Sequence, residues 1–176
     1  WLLDKLGIQK GIAKLEDFGI SIGEADENLG AIALGGMSTG VSPVQLASAY
    51  TTFVNEGVRT EARFITKIVD ATGAVIVDNT NPETNRVTTA AVAEEMTSML
   101  MGVYADGGTG ASAQPSNGMV IAGKTGTTEL DRETGYIKSQ WMVGYTPDLV
   151  VATWLGYDET NEAHNLNNAG KTMANL

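Results

Sequence analysis

The chain has 176 residues, a size that suits one domain or a large piece of one. Hydrophobic residues make up 43%, enough for a real core, so a disordered tail is excluded. A net charge of −10 with no basic stripe argues against nucleic acid as a partner, and the absence of cysteine removes disulfides, thiol catalysis and cysteine-ligated metals.

No apolar run approaches the roughly 20 residues that a membrane helix needs, and no signal-peptide pattern is present. Trp1-Leu2-Leu3-Asp4-Lys5-Leu6-Gly7 reads as the last turns of a helix closed by a glycine. That helix has no start of its own, which suggests a sequence cut from something longer. Residues 8–40, with glycines and acids such as Gly19, Gly23, Glu24, Asp26, Glu27 and Gly30, are expected to be irregular. The small-residue run Ala31 to Gly36 allows close backbone packing.

Ser42-Pro43-Val44-Gln45 matches a capping box with proline at the first helical position. A helix over 43–55 follows, with Leu46, Ala49, Tyr50, Phe53 and Val54 on one apolar face, and Asn55-Glu56-Gly57 ends it. Residues 64–70 and 75–78 read as strands joined by the turn Asp70-Ala71-Thr72-Gly73, and 79–86 as a polar loop. A second helix over 89–105 buries Val92, Met96, Met99, Leu100 and Val103, with the methionines as core filler. Asp106-Gly107-Gly108-Thr109-Gly110 breaks it. Strands are expected at 119–128, 140–145 and 149–157, the last two forming an antiparallel hairpin through Thr146-Pro147-Asp148. Residues 129–139 read as a flap, and the asparagine-rich tail 158–176 as a surface cover or a docking helix.

The chemistry lies in Gly123-Lys124-Thr125-Gly126-Thr127-Thr128. Gly118 to Thr125 satisfies the bare spacing of a phosphate-binding loop. Its context does not fit, because Met119 to Ile121 are strand formers and no helix follows. On a strand, alternation places Thr125 and Thr127 on one face, where two hydroxyls can bind a carboxylate. Lys124 and Gly126 share the other face. Lys124 brings a positive charge, and Gly126 removes a side chain where another group approaches. An edge strand here could pair its backbone with an extended peptide.

Lys-Thr-Gly on a strand, followed by Thr-Thr, resembles the third signature motif of penicillin-binding proteins and related acyl-serine enzymes. The neighbourhood is similar as well. It includes Ala33 to Gly36, Ser42 to Tyr50, Phe53 to Gly57, Gly108-Thr109-Gly110, Trp141 to Pro147 and Val151 to Asp158. The likeness spans nearly the whole chain, is strongest over 31–158, and is greatest to high-molecular-weight, bifunctional class A members. It implies an α+β domain, the three-layer sandwich shared with β-lactamases. Its antiparallel sheet is flanked by helices, and residues 1–176 form an incomplete, carboxy-terminal portion.

The family's Ser-x-x-Lys and Ser-x-Asn motifs are missing: no serine here is followed by lysine three residues later or by asparagine two residues later. The resemblance therefore implies a part of a peptidoglycan D,D-transpeptidase that supplies the Lys-Thr-Gly strand while the nucleophilic serine and its lysine lie elsewhere. Lys124 would stabilise the anionic substrate end and tune proton transfer. Thr125 and Thr127 would bind the carboxylate, with Gly126 and Thr128 beside it. The Thr127 backbone N–H would be one oxyanion-hole donor. The implied partners are stem peptides, β-lactam antibiotics and the amino-terminal half of the domain. No cofactor or metal is implied, and the expected location is the extracytoplasmic face of the bacterial membrane, anchored by an upstream segment. A D,D-carboxypeptidase, a β-lactamase-like enzyme and a non-catalytic peptide- or β-lactam-binding module stay open as alternatives.

Other polar groups are expected to be structural. His164, the sole histidine, reads as a surface residue without metal-binding company. Glu94-Glu95 and Asp131-Arg132-Glu133 read as solvated faces. Trp141 and Trp154 read as core in preference to cleft wall, and Thr128 suits a plain strand position as well as a substrate contact.

Overall fold

The computed structural model describes residues 1–38, 40–130 and 134–166. They form two compact units, Trp1–Thr89 and the part from Ala90 onward. Among them are five α-helices and seven strands, a mixed α+β composition.

The first unit opens with α1 (Leu2–Leu6), α2 (Ile8–Asp17) and α3 (Leu29–Leu34). Residues 8–40 are thus more ordered than expected. In α2 the local signal is weakened by Gly11, because glycine disfavours a helix interior. A Cβ there would come within 2.6 Å of Leu3 Cδ1, the far end of an α1 side chain. Asn28 caps α3 by accepting from the Ala31 N–H at 2.9 Å, and Gly35, in the left-handed region at φ 76°, closes it. Between α2 and α3, Asp26 is buried and accepts from the Ser38 N–H at 2.8 Å and the Ser38 hydroxyl at 2.9 Å.

Helix α4 (Pro43–Val54) begins with the expected capping box: Ser42 Oγ accepts from the Gln45 N–H, and Gln45 Oε1 accepts from the Ser42 N–H. Its most buried residues are Ser48, Ala49 and Thr52, so hydroxyls share the inner face with the predicted apolar set. The reason is β1 (Val58–Thr60), which lies against α4 and was not foreseen. Ser48 donates to the Thr60 carbonyl at 2.7 Å, and the Thr60 N–H donates to Thr51 Oγ1 at 2.8 Å.

Strand β1 pairs antiparallel with β4 (Thr84–Arg86), placing a strand in the expected 79–86 loop. Three polar residues gave no hydrophobic signal for β4; its order comes from backbone pairing. Strands β2 (Lys67–Val69) and β3 (Val75–Asp78) form the expected hairpin, shorter at its first strand. Asp70 holds the turn by accepting from the Thr72 and Ala74 N–H groups and the Thr72 hydroxyl.

The second unit carries α5 (Ala90–Met101) and a three-stranded antiparallel sheet ordered β5-β6-β7. Gly102 ends the regular helix, and Val103 and Tyr104 continue in three-residue turns, their N–H groups donating to Leu100 and Met101 carbonyls. The predicted helix over 89–105 is therefore trimmed. Its buried face is met in part, since Met96, Leu100 and Val103 of the predicted set are half-buried. Ala93 and Tyr104 are buried, whereas Val92 and Met99 are exposed, the latter at 65%. Apolar residues occupy two neighbouring stripes of α5, and periodicity alone does not say which one meets the sheet.

Strand β5 is Ala122–Glu129, β6 is Ile137–Tyr145 and β7 is Val150–Gly156. The β6–β7 hairpin closes as expected, with the Thr146 N–H donating to the Leu149 carbonyl at 2.9 Å. The predicted strand over 119–128 starts later, since Met119 and Val120 precede β5 and are exposed. The flap over 129–139 is shorter too: the Leu130 N–H donates to the Tyr136 carbonyl at 2.8 Å, and β6 begins at Ile137. Asp131-Arg132-Glu133, and the tail from 167 to 176, lie outside the described residues. His164 is exposed, as expected, and stacks on Tyr157 with ring centroids 5.3 Å apart.

Candidate functional site

Lys124, Thr125, Gly126 and Thr127 lie in consecutive extended positions of β5, with Thr128 following. They face Val143, Met142, Trp141, Gln140 and Ser139 of β6 in register. No helix begins there, so the phosphate-loop geometry is not formed. Within the described sheet β5 pairs only with β6, which makes it an edge strand whose other side is free for a further strand or an extended peptide.

Gly123 fixes how β5 sits. A Cβ at this position would collide with the Val143 carbonyl and lie 2.9 Å from the Tyr104 hydroxyl. Its register partner Gly144 has the same relation to Tyr104, at 3.0 Å. The two glycines open a window through which Tyr104 reaches the strand pair and donates to the Val143 carbonyl at 3.1 Å. Burial raises the Tyr104 phenol above its ordinary pKa. Gly126 is different. A Cβ there would meet only Trp141 Cβ, at an ordinary 3.4 Å, so packing inside the described residues does not demand a glycine. Its small size counts only if something approaches β5 from outside.

Alternation puts Thr125 and Thr127 on the face of Gly123, toward Tyr104. Thr127 is exposed, and Thr125 is half-buried. The Thr125 hydroxyl lies 2.7 Å from the Thr109 hydroxyl. Thr109 was not among the predicted site residues. It stands between two glycines 16 positions upstream, and the Gly-Thr-Gly pattern was the signal that could have found it.

Lys124 projects to the other side, is exposed, and donates through Nζ to the Thr125 carbonyl at 2.7 Å. Among the described residues no carboxylate pairs with it. Trp141 and Trp154 face each other across β6 and β7, with ring centroids 6.5 Å apart. Trp141 is half-buried and Trp154 is 38% exposed, so the pair is less a core than its composition suggested. The arrangement can present two hydroxyls and a backbone edge to an anionic, extended ligand, with an ammonium on the same strand. No serine in the sequence has a lysine three residues on, so the arrangement contains no recognisable activated nucleophile.

The family model for the penicillin-binding protein transpeptidase domain matches residues 3–176. Penicillin-binding protein 2a of Streptococcus pneumoniae is 42% identical over 170 residues, covering 97% of this chain and 22% of that protein. The PonA1 protein from Mycobacterium tuberculosis, solved in complex with penicillin V, is 34% identical, with a TM-score of 0.55 over 65% of this chain and 29% of that one. Penicillin-binding protein 3 from the same organism, complexed with ampicillin, shares the fold at 24% identity, with a TM-score of 0.70 over 99% of this chain and 45% of that one. The chain thus spans about a fifth of the length of the curated relatives it matches.

Proposed function

The chain belongs to the penicillin-binding protein transpeptidase family, and on that premise we propose that it supplies the Lys-Thr-Gly strand of a peptidoglycan D,D-transpeptidase that also binds β-lactams. The observation that carries this reading is the placement of Lys124-Thr125-Gly126-Thr127 along an edge strand with hydroxyls on one face. The serine that is acylated, with the lysine that takes its proton, comes from the remainder of the parent protein. A bifunctional parent of class A, working on the outer face of the cytoplasmic membrane and anchored upstream, suits this role. Among the described residues no helix is long and apolar enough to cross a membrane.

In the reaction, a stem peptide lies along β5 with its terminal carboxylate against the Thr125 and Thr127 hydroxyls. The serine oxygen attacks the penultimate D-alanine carbonyl, and a tetrahedral oxyanion forms. The Thr127 N–H donates to that oxyanion, an interaction of the kind that accounts for a factor of about 10² to 10³ in rate. The carbon–nitrogen bond breaks, the departing D-alanine takes up a proton, and an acyl-serine remains. The amine of a second stem attacks the acyl carbon, the carbon–oxygen bond to serine breaks, and a proton from the amine passes to the serine oxygen. Lys124, on the opposite face of β5 with its Nζ on the Thr125 carbonyl, adds positive charge to the field along the strand. Gly126, which packing leaves unexplained, lets the peptide backbone approach.

The test uses the full-length parent and a fluorescent penicillin. Wild type is acylated once per molecule, Lys124→Ala is acylated at least 100-fold more slowly, and the 176-residue chain alone acquires no covalent label. A stoichiometric serine adduct on the isolated chain, or full labelling of the Lys124→Ala parent, overturns the reading. Analysis of the parent's products on stem peptides distinguishes a crosslinked dimer from simple hydrolysis.

A further inference from the structure

The Thr109–Thr125 contact joins a strand hydroxyl to a loop residue for which the transpeptidase scheme above has no use. The loop is built to deliver it. After α5 the chain doubles back, with the Gly108 N–H donating to the Ala105 carbonyl at 2.8 Å and the Gly110 N–H to the Val103 carbonyl at 2.9 Å. A Cβ on Gly108 would collide with the Val103 carbonyl and lie 2.6 Å from that of Gly102. A tight turn that tolerates no side chain at residue 108 therefore pins Thr109, and its exposed side chain sets its hydroxyl 2.7 Å from that of Thr125.

We propose that Thr109 is a positioning residue that sets the direction of the Thr125 hydroxyl toward the substrate carboxylate. This rests on the transpeptidase reading. A hydroxyl has one hydrogen and two lone pairs. Either threonine can be the donor in the free protein. Once a carboxylate sits against Thr125, the hydrogen of Thr125 must point at the anion, because a lone pair there would repel it. Thr125 then accepts from Thr109, and the chain runs from Thr109 to Thr125 to carboxylate. Each donor in such a chain polarises the next, so Thr125 donates more strongly than it would alone. Without Thr109, the Thr125 hydroxyl hydrogen is free to turn about its C–O bond, and its oxygen loses a donor. Thr127 is exposed on the same face.

The test follows acylation of the full-length parent by fluorescent penicillin, with a melting curve for each variant. Thr109→Val, which keeps the shape, is expected to slow acylation about tenfold. Thr109→Ser, which keeps the hydroxyl, is expected to stay within about twofold of wild type. In a Thr125→Ala background Thr109→Val is expected to cost nothing more, because the group it orients is gone. Thr109→Ala carries the same expectation should the valine variant fail to fold. An equal loss in the serine and valine variants marks a purely steric role and overturns the proposal, as does a full loss from Thr109→Val in the Thr125→Ala background, which marks direct contact with the substrate. A wild-type parent that penicillin leaves unlabelled sinks the transpeptidase reading itself. A labelled wild type with an unaffected Thr109→Val sinks only the role of Thr109.

Discussion

The Tyr104 hydroxyl donates to the Val143 carbonyl at 3.1 Å, through the gap left by Gly123 and Gly144. This bond ties the turn after α5 to the strand beside the candidate site. Tyr104→Phe removes the donor and nothing else, and is expected to cost about 1 kcal/mol. Gly123→Ala is expected to cost more, about 3 kcal/mol or more, because its Cβ meets backbone that cannot rotate away. Urea denaturation of the two variants checks the order, and an alanine variant as stable as the phenylalanine one would contradict the packing described.

Alkaline pH provides a second check. Burial raises the pKa of Tyr104, and burial also raises that of Tyr145, partly countered by its bond to Thr97. The unfolded chain therefore loses these protons first, near the ordinary value of 10.0. Above that pH the folded state binds more protons than the unfolded state, so stability falls as pH rises. The contribution is complete below about pH 10 and is lost as the pH climbs through the folded values. Denaturation midpoints measured from pH 9 to pH 12 should decline, and Tyr104→Phe should flatten the decline.

Asp26 is 3% exposed and serves both the N–H and the hydroxyl of Ser38. Asp26→Ala leaves these donors without their acceptor and is expected to cost about 1–3 kcal/mol. Asp26→Asn keeps one acceptor oxygen and should cost less. Thermal melting of both variants separates lost hydrogen bonding from lost volume, since asparagine keeps the volume.

Several large apolar side chains meet solvent. In the first unit Phe64 is 87% and Ile76 64% exposed, and in the second Met99 is 65% exposed. Each Å² of apolar surface left in water costs roughly 25 cal/mol. The chain purified alone is expected to self-associate, and light scattering at rising concentration is the measurement. A stable monomer at high concentration would show that these residues are tolerated in water as they stand.

The sequence by itself determined the elements whose signals are local. The Ser42 capping box, the β2–β3 turn at Asp70, the β6–β7 hairpin and the extended Lys124 to Thr127 were legible because each depends on residues a few positions apart. The family motif was legible for the same reason. Tertiary structure decided what depends on distant partners. Strand β4 is polar and exists because β1 pairs with it. Helix α2 carries a glycine next to Leu3 of α1, a proximity that local propensity does not record. Which stripe of α5 is buried was settled by the sheet, where Thr97 accepts from the Tyr145 hydroxyl beside Ala93. The pairing of Thr109 with Thr125 crosses 16 residues and needs a turn whose tightness no periodicity records. A hydroxyl carries no directional preference in sequence. It gains one only when folding brings a second hydroxyl within hydrogen-bond reach.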